Sequence, residues 1–356
     1  MLNYLDDDGT PVEPQFYAPI IPMVLVNGSK GIGTGFSTNI MCYNPLEIID
    51  YLKVKLLNKG LVLENDFVPY YEGFQGTIEK VADKKFVIKG KYETLGPDKI
   101  RVVELPVGYW TEDFKELLEH LIDPGQDKAG KKILPTVKDY QDMSKDTNVD
   151  FTIQFMKGKM DELGNPGIEK VLKLATTCTS TNMHLFDAND KLKKYDTVEA
   201  IIDDYFVTRL ELYGKRKEFM IKSLERELML LSNKAKYIQA NLDGTIDLRK
   251  KNKEQINIML AGYDVIDGDK DYKYLTKMTM DSVTDENVAK LFAEHAQKQI
   301  ELDTVKATTD RQMWSSELDK LKNEYVLYKE ERQRLMAGTE KDKPKKKVVS
   351  KGVIKK

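Results

Sequence analysis

The chain has 356 residues, 41% of them hydrophobic, which is enough to bury two or three cores at about 100 to 200 residues per domain. Its formal net charge of −2 excludes a uniformly basic nucleic-acid-binding protein. No run of about 18 apolar residues occurs and the first residues are acidic, so we expect neither a membrane span nor a signal peptide.

Cysteine and histidine usage argues against a metal site and against histidine-based catalysis. Cys42 and Cys178 lack the paired spacing of a zinc site, and two such cysteines are typical of a reducing compartment. His120, His184 and His295 are each isolated in the sequence. We therefore expect this chain to bind no metal.

The first 14 residues are acidic and rich in turn formers. Asp6, Asp7 and Asp8 precede Gly9, and three adjacent carboxylates could suggest a metal site. Side chains adjacent in sequence rarely converge on one ion, so a solvated turn is the favoured interpretation.

The most informative stretch is residues 19–44, where an apolar run gives way to closely spaced glycines. The run Ile20–Val26 predicts a buried strand, and the glycines after it predict a loop. These glycines are Gly28, Gly31, Gly33 and Gly35. Because glycine has no Cβ, such a loop can approach another molecule closely. Ile32 lies between two of the glycines, a bulky apolar side chain in an exposed place.

Three interpretations of this loop compete. A phosphate-binding loop fails because Thr34-Gly35 stands where the Gly28-x4-Gly33 spacing needs Lys followed by Ser or Thr. The dinucleotide pattern fails as well, because Phe36 stands at its last glycine position. In the second interpretation the chain turns tightly and Ile32 packs into the core. In the third, the loop approaches DNA and Ile32 wedges between base steps, as DNA-bending proteins do.

A helix and then a lysine-rich sheet follow. Residues 44–58 predict a helix with Pro45 in its first turn and one apolar face, made of Leu46, Ile49, Leu52 and Leu56. Between Asp66 and Val103, short β-favouring runs predict a half-exposed sheet. Its lysines include Lys84, Lys85, Lys89 and Lys91. They could form a solvated face, or they could contact DNA phosphates in a salt-sensitive, sequence-independent manner.

The middle of the chain predicts several short elements and one plain loop. The predicted elements are a helix over Val107–Ile122 with Thr111 as its N-cap, a strand over Phe151–Phe155, a turn-rich connector over 158–166 and a short helix over Ile168–Ala175. Thr176–Asn182 is polar and small, and we predict a loop without chemistry there.

From Tyr195 the pattern becomes long and helical, with Thr197 as the cap. Apolar residues from Leu224 to Leu242 alternate steps of 4 and 3, which predicts a coiled-coil seam. A second long segment, Val283 to Gln333, would pair with it antiparallel as a stalk. The apolar stretch between them predicts either a self-associating knob or a small satellite core. The knob residues singled out for self-association are Ile258, Tyr263, Tyr272, Tyr274 and Leu275.

The end of the chain is basic. Residues 339–356 hold eight lysines and two carboxylates, so this segment carries +6 and the rest of the chain −8. Such a tail predicts disorder, and it could serve as a nuclear address or as a loose DNA tether.

Four ordered blocks of the sequence carry a family resemblance. They are Glu13–Gly35 (EPQFYAPIIPMVLVNGSKGIGTG), Tyr70–Ile78, Glu104–Thr111 and Leu192–Val198, with Tyr213-Gly214-x-Arg216-Lys217 close behind. Together they resemble type IIA DNA topoisomerases of the eukaryotic and viral kind. The first block is similar to the segment just after the active-site tyrosine of that family.

The resemblance implies an α+β fold with four parts. These are the end of a winged-helix domain with a DNA-intercalating loop over 1–65, a β-rich tower domain over 66–190, a long antiparallel coiled coil with a small helical dimerisation knob over 191–336, and a basic disordered tail over 337–356. It also implies a nuclear location, or the host-cell cytoplasm for a viral protein.

The resemblance further implies passage of one DNA duplex through a transient double-strand break, with ATP and Mg²⁺ used by the complete enzyme. Ile32 would wedge into the cleaved duplex and bend it. The residues that would shape and anchor this loop on the DNA backbone are Asn27, Gly28, Lys30, Gly31, Gly33 and Thr34. The lysine-rich sheet would contact the outer arms of the DNA, and the knob would be the exit gate of a homodimer. Lys30 departs from the acidic residue expected in eukaryotic relatives.

The chemical groups of the family's reaction are missing from this sequence. Its catalytic tyrosine follows an arginine, whereas Tyr4 has no basic neighbour and is rejected as a nucleophile. We also find no paired-Asp metal motif and no ATP-binding region. Two hypotheses remain: part of an enzyme that needs ATPase and metal-binding parts in cis or on a second chain, or a non-catalytic DNA-binding and dimerising architectural module.

Overall fold

The computed structural model describes most of the chain, as residues 3–57, 66–126, 132–248, 251–264, 272–278 and 284–336. The predicted basic tail, residues 337–356, lies outside the described residues, as do parts of the predicted knob. The chain divides into two compact units. We name them the helical unit (Met1–Ala18 with Val207–Glu317) and the mixed unit (Pro19–Phe206 with Leu318–Lys356).

The described strands, with four helices among them, precede the longest described helix, α5 (Val198–Leu242), and only helices follow it among the described elements. The strands are β1 (Tyr4–Asp7), β2 (Thr10–Pro14), β3 (Ser29–Gly33), β4 (Phe36–Ile40), β5 (Thr77–Ala82), β6 (Lys85–Lys89), β7 (Lys91–Gly96), β8 (Lys99–Glu104), β9 (Val137–Asp142), β10 (Phe151–Phe155), β11 (Ala175–Thr179), β12 (Met183–Phe186) and β13 (Leu192–Tyr195). The helices are α1 (Met23–Asn27), α2 (Pro45–Leu57), α3 (Thr111–Ile122), α4 (Lys159–Val171), α5 (Val198–Leu242), α6 (Lys253–Met259), α7 (Lys273–Thr276), α8 (Asp285–Ala307) and α9 (Asp310–Met336).

In its described part, the mixed unit holds antiparallel sheets. They are the β3–β4 hairpin, a sheet in the order β11-β6-β5, a sheet in the order β7-β8-β10-β9 and the β12–β13 pair. Strand β5 pairs with β6 in one sheet, and β7 pairs with β8 in the other. Strand β11, from much later in the sequence, pairs with the other edge of β6. The lysine-rich region therefore belongs to two sheets rather than one.

One core of the mixed unit lies between the four-stranded sheet and the helix α3. The inward side chains of β10 are Phe151, Ile153 and Phe155, the alternation expected of a half-buried strand. Phe114 and Leu118 of α3 join the same cluster. Phe114 meets Phe151 edge to face with ring centroids 5.1 Å apart, a favoured aromatic geometry. The predictions of α3 and β10 are thus confirmed.

Within the helical unit, α5 and α8 pair antiparallel, as predicted. Lys306 Nζ lies 2.8 Å from Glu225 Oε1, and Lys298 Nζ lies 3.2 Å from Glu227 Oε2. Residue numbers therefore decrease along α8 where they increase along α5, so the two helices are antiparallel. The leucines between them are Leu224, Leu228 and Leu302. Helix α9 also contacts α5 in this unit, because Tyr213 stacks on the buried Trp314 with 5.5 Å between ring centroids.

Two predicted elements around the glycine-rich stretch are wrong. Residues 20–26 form no strand; the short helix α1 occupies Met23–Asn27, with Pro22 at its N-cap and Leu25 buried. Prolines lack the N–H that a paired strand needs; Pro19 comes directly before this run and Pro22 lies within it. The glycines do not form an open loop either, since most of them lie in β3 or the turn that follows it.

Four later predictions need correction. The segment Thr176–Asn182 is not a plain loop, because its first residues belong to β11, where β-branched threonines favour a strand. Helix α4 covers Lys159–Val171, with a break at Gly164, instead of a connector followed by a helix reaching Ala175. Trp110, not Thr111, is the N-cap of α3.

The fourth correction concerns the second long helical segment, which is two helices. Helix α8 ends at Ala307 and α9 begins at Asp310. Thr309 and Gln312 form a reciprocal pair: the Gln312 N–H donates to Thr309 Oγ1 at 3.2 Å, and the Thr309 N–H donates to Gln312 Oε1 at 2.8 Å. This capping box is a local signal that the sequence does contain and that seam spacing alone overlooks.

Candidate nucleic-acid interface

The β3–β4 hairpin holds Ile32 in solvent. Ile32 pairs with Ser37 and Gly33 pairs with Phe36, which leaves a two-residue turn whose second residue, Gly35, has a φ of +79°. Ile32 is 90% exposed and Phe36 is 64% exposed. The interpretation in which Ile32 packs into the core is therefore wrong.

Gly28 fixes the base of this hairpin. Its backbone angles, φ 69° and ψ 172°, lie in a region that is essentially restricted to glycine. A Cβ at this position would lie 2.8 Å from the Ile40 carbonyl oxygen and 3.0 Å from Cys42 Sγ. The backbone of β4 thus approaches Gly28 more closely than a residue with a Cβ would permit. Cys42 is partly enclosed here, and burial raises the pKa of its thiol.

Gly31 and Gly33 have no comparable structural reason to be glycine. A Cβ on Gly31 would meet only Thr38 Cγ2 at 3.9 Å, and one on Gly33 only the Phe36 carbonyl oxygen at 3.8 Å. Both are ordinary contacts, and neither residue has a positive φ. The missing side chains leave both sides of Ile32 open to an approaching molecule.

The polar residues of the predicted loop are exposed, but they occupy different parts of the hairpin. Asn27 ends α1, Thr34 is in the turn, and Lys30 lies two residues before Ile32 on β3. Successive side chains of a strand alternate between faces, so Lys30 and Ile32 project from the same face. Among the described residues no carboxylate lies within ion-pair distance of Lys30. The hairpin thus offers one cation beside one apolar tip.

Residues that the sequence patterns leave without a role hold this hairpin. The Asn39 N–H donates to the Asn182 carbonyl oxygen at 2.8 Å, and the Asn182 side-chain amide donates to Ser37 Oγ at the same distance. The His184 N–H donates to Thr38 Oγ1 at 3.2 Å. Nothing local in the sequence indicates these contacts, because they join segments far apart in the chain.

The four lysines predicted to contact DNA are divided between the two larger sheets. Lys84 precedes β6, and Lys85 and Lys89 project from its outer face, whereas Lys91 begins β7. Lys84 lies 3.9 Å from Asp196 and Lys89 lies 3.6 Å from Glu79. Within the described segments, Lys85 and Lys91 have no such carboxylate. These two lysines are the better placed for an external anion.

The predicted knob residues separate into inner and outer groups. Tyr272 and Leu275 are buried in a small cluster with Leu260, so in this conformation they offer little surface to a partner. Tyr274 is held by its hydroxyl, which donates to the Asp264 carbonyl oxygen at 2.8 Å, and Tyr263 packs against the same cluster. Ile258 is 76% exposed. The satellite core exists, and Ile258 is its outward residue.

Neither the acidic N-terminal segment nor any other described segment forms a metal centre. Asp6 accepts a hydrogen bond from the Gly9 N–H at 2.6 Å, and the segment is exposed, which confirms the solvated turn. In the described parts of the chain, no three His, Cys, Asp or Glu side chains gather where an ion could be held. The described helices also include none long and apolar enough to cross a membrane.

Comparison with known proteins identifies the family. A family model described as the A subunit of DNA gyrase/topoisomerase IV matches residues 1–319. The chain belongs to this family. The resemblance indicated by the four sequence blocks is thereby confirmed.

Individual relatives agree with the family assignment. DNA topoisomerase 2 of Arabidopsis thaliana is 36% identical and aligns with 91% of this chain, and that of Acanthamoeba polyphaga mimivirus is 32% identical over the same share. The chain spans only 24% and 30% of the length of these two proteins.

A solved structure supports the fold. The DNA-binding, cleavage and re-ligation domain of Plasmodium falciparum topoisomerase II superposes with a TM-score of 0.82 at 33% identity. The match covers 95% of this chain and 48% of the other. The mixed helix and sheet class is therefore confirmed.

Gly28 and Gly33 give a matched test of the hairpin base. We expect Gly28→Ala to lower the free energy of unfolding by roughly 1–3 kcal/mol, because alanine is strained at this φ and its Cβ meets the Ile40 carbonyl. Gly33→Ala, with open space around its Cβ, should stay within about 0.5 kcal/mol of the unchanged protein. Urea unfolding followed by circular dichroism measures both; equal losses would show that Gly28 has no special role.

Proposed function

We propose that the chain is the DNA-bending and dimerising part of a type IIA DNA topoisomerase, which passes one duplex through a transient double-strand break. The observation that carries the proposal is Ile32, 90% exposed at the tip of a hairpin whose neighbouring glycines leave it accessible. No other large hydrophobic side chain of the described residues is as exposed as Ile32, which favours a role in contacting another molecule.

Energetics favour a base step as the receiving site. Unstacking one step costs a few kcal/mol, and apolar wedges that separate base steps are typical of DNA-bending proteins. Burying an isoleucine returns about 1.5–3 kcal/mol, so Ile32 offsets much of that cost. Lys30, on the same face of β3, would contact a phosphate beside the wedge, and Asn27 and Thr34 would anchor the loop on the DNA backbone. Gly28, Gly31 and Gly33 would shape the hairpin for this approach.

The lysines of the two sheets would support the outer arms of the bent duplex. Lys85 and Lys91 are the stronger candidates, whereas Lys84 and Lys89 would first have to leave their carboxylates. Phosphate contacts of this kind carry no sequence information but position the duplex and make binding salt-dependent. This part corresponds to the tower of our proposed division, residues 66–190, between the end of a winged-helix domain at 1–65 and a coiled coil over 191–336.

Self-association would occur through the end of the coiled coil. Tyr272 and Leu275 would build the small core, with Tyr263 and Tyr274 around it, and Ile258 would present the apolar contact to a second copy. An exit gate needs a contact that opens and closes, and a few exposed apolar side chains on a preformed core suit that requirement.

Cleavage needs groups that the described residues do not supply. The complete enzyme would use Mg²⁺ and ATP, but no described cluster of carboxylates fits a metal ion, so we assign no step to either. These groups would come from other parts of the enzyme, in cis or on a second chain. We place the protein in the nucleus, or in the host-cell cytoplasm if it is viral.

The overall proposal is tested by relaxation of supercoiled plasmid with ATP and Mg²⁺. We expect no relaxation by this chain alone, and relaxation once it is supplemented with the parts of a type IIA enzyme that carry the ATPase, the metal site and the catalytic tyrosine. If supplementation yields no activity while the chain still binds and bends DNA, the architectural module replaces the enzyme.

The wedge is tested by Ile32→Ala. We expect weaker DNA bending, because an alanine side chain is too short to hold two base pairs apart. Energy transfer between dyes at the two ends of a short duplex measures the bend. Ile300→Ala, which shortens a 61% exposed isoleucine on α8, is the matched control and should leave the bend unchanged. An unchanged bend with Ile32→Ala would remove Ile32 from the mechanism.

The gate contact is tested by Ile258→Glu. A charge at this exposed position should shift sedimentation toward the monomer without lowering the thermal midpoint, since the residue contributes little to the core. Phe292→Glu, at another exposed position of the helical unit, is the control for added charge. If both variants self-associate like the unchanged chain, Ile258 makes no contact between copies.

A further inference from the structure

The linker between β11 and β12, residues 180–182, contacts the Ile32 hairpin, and these contacts have no part in the function proposed above. Asn182 contributes two of them, accepting from the Asn39 N–H through its carbonyl oxygen and donating from its side chain to Ser37 Oγ, each at 2.8 Å. Its Oδ1 lies 2.9 Å from His184 Nδ1, which fixes the orientation of the amide. We name Asn182 and His184 the brace.

The brace acts on the strand opposite the proposed DNA contacts. It bonds to three consecutive residues of β4, and their cross-strand partners on β3 are Ile32, Gly31 and Lys30. Within the described part of the chain no hydrogen bond from outside the hairpin holds the turn at Thr34 and Gly35, so the brace leaves the tip open. A molecule that pushes against Ile32 therefore pushes against the cross-strand pair that Asn182 supports.

The other end of the brace is tied to the lysine-bearing sheet. Thr179, the last residue of β11, pairs with Lys85, and the Ser180 N–H donates to the Lys84 carbonyl oxygen at 3.0 Å. Ser180 is buried. Asn182 follows two residues later, so a very short length of chain connects the backbone of β6 to the hairpin. A link this short cannot absorb a large displacement.

The hairpin needs such support because it is weak by itself. A two-stranded hairpin is marginally stable in water, and β3 contributes two glycines that add no cross-strand packing. A wedge that separates base steps must withstand the tendency of the duplex to restack. An unsupported hairpin would tilt before the bases unstacked.

We propose that Asn182 is a positioning residue that keeps the Ile32 hairpin rigid against the duplex and couples it to the phosphate-binding sheet of Lys84 and Lys85. The proposal rests on the proposed function of Ile32. It separates two properties of DNA binding. The sheet supplies contact with phosphates, and the brace converts that contact into bending.

The test compares Asn182→Ala with Asn189→Ala, the same exchange at an exposed turn position of the same segment. We expect Asn182→Ala to lose at least about half of the bend that Ile32→Ala loses, because the hairpin yields instead of the DNA. DNA affinity and its salt dependence should stay within about twofold, since the lysines are untouched. Asn189→Ala should match the unchanged protein in both measurements.

The outcomes distinguish the brace from the wedge. If Ile32→Ala straightens the DNA but Asn182→Ala does not, the brace is overturned and the wedge stands. If Ile32→Ala itself leaves the bend unchanged, the wedge fails and the brace fails with it. A loss of bend and of affinity together, in proportion, would mean that Asn182 merely stabilises the fold, and that also overturns the proposal.

A second variant covers the case in which Asn182→Ala unfolds. Ser37→Ala removes the hydroxyl that accepts the Asn182 amide and disturbs no backbone bond. We expect it to reproduce part of the bend loss. Combined with Asn182→Ala, it should add almost nothing, because both exchanges remove one interaction. Losses that add in the double variant would show that the two residues act independently and that no brace exists.

Discussion

The described interface depends on one constraint: a large apolar side chain must stay in solvent while its backbone is held still. Ile32 forgoes the roughly 1.5–3 kcal/mol that burial would return, and it does so on a hairpin with little stability of its own. The rigidity must come from the base and the side of the hairpin. At the base, Gly28 lets the Ile40 carbonyl oxygen come closer than a residue with a Cβ would permit. At the side, the contacts of Asn182 hold strand β4.

How much of this the sequence predicts depends on the range of the interactions. The exposed tip is predictable, because glycines on both sides of Ile32 are a local pattern with a direct meaning. The helices α2, α3 and α5 and the strand β10 are predictable for the same reason, since each carries its own period of apolar residues. The role of Asn182 is not predictable, because its partners on β4 come from a distant part of the sequence. Strand β11 has threonines that favour a strand, but its pairing is not predictable because its partner β6 is equally remote.

The knob shows a different limit. Its apolar composition correctly indicates a packed cluster, but composition does not say whether a side chain packs within its own chain or against another. Burial in the folded chain shows that Tyr272 and Leu275 belong to the first class, whereas Ile258 is exposed and is only our proposed contact for a second copy. The break between α8 and α9 belongs with the predictable features, because Thr309 and Gln312 form a capping box that can be read locally.

For DNA binding by this chain, the positions of individual lysines matter more than the total charge. The net charge is −2, so DNA would be held by a few well-placed lysines and not by a broad basic field. Each phosphate contact contributes a limited, salt-dependent amount to the free energy of binding, and bending the duplex costs a few kcal/mol. A small number of lysines cannot meet that cost unless the wedge gains its own contacts at the same moment. Binding and bending would then be favourable only together, which requires a stiff connection between the sheet of Lys85 and the tip at Ile32. The short covalent path through Ser180 and Asn182 is such a connection.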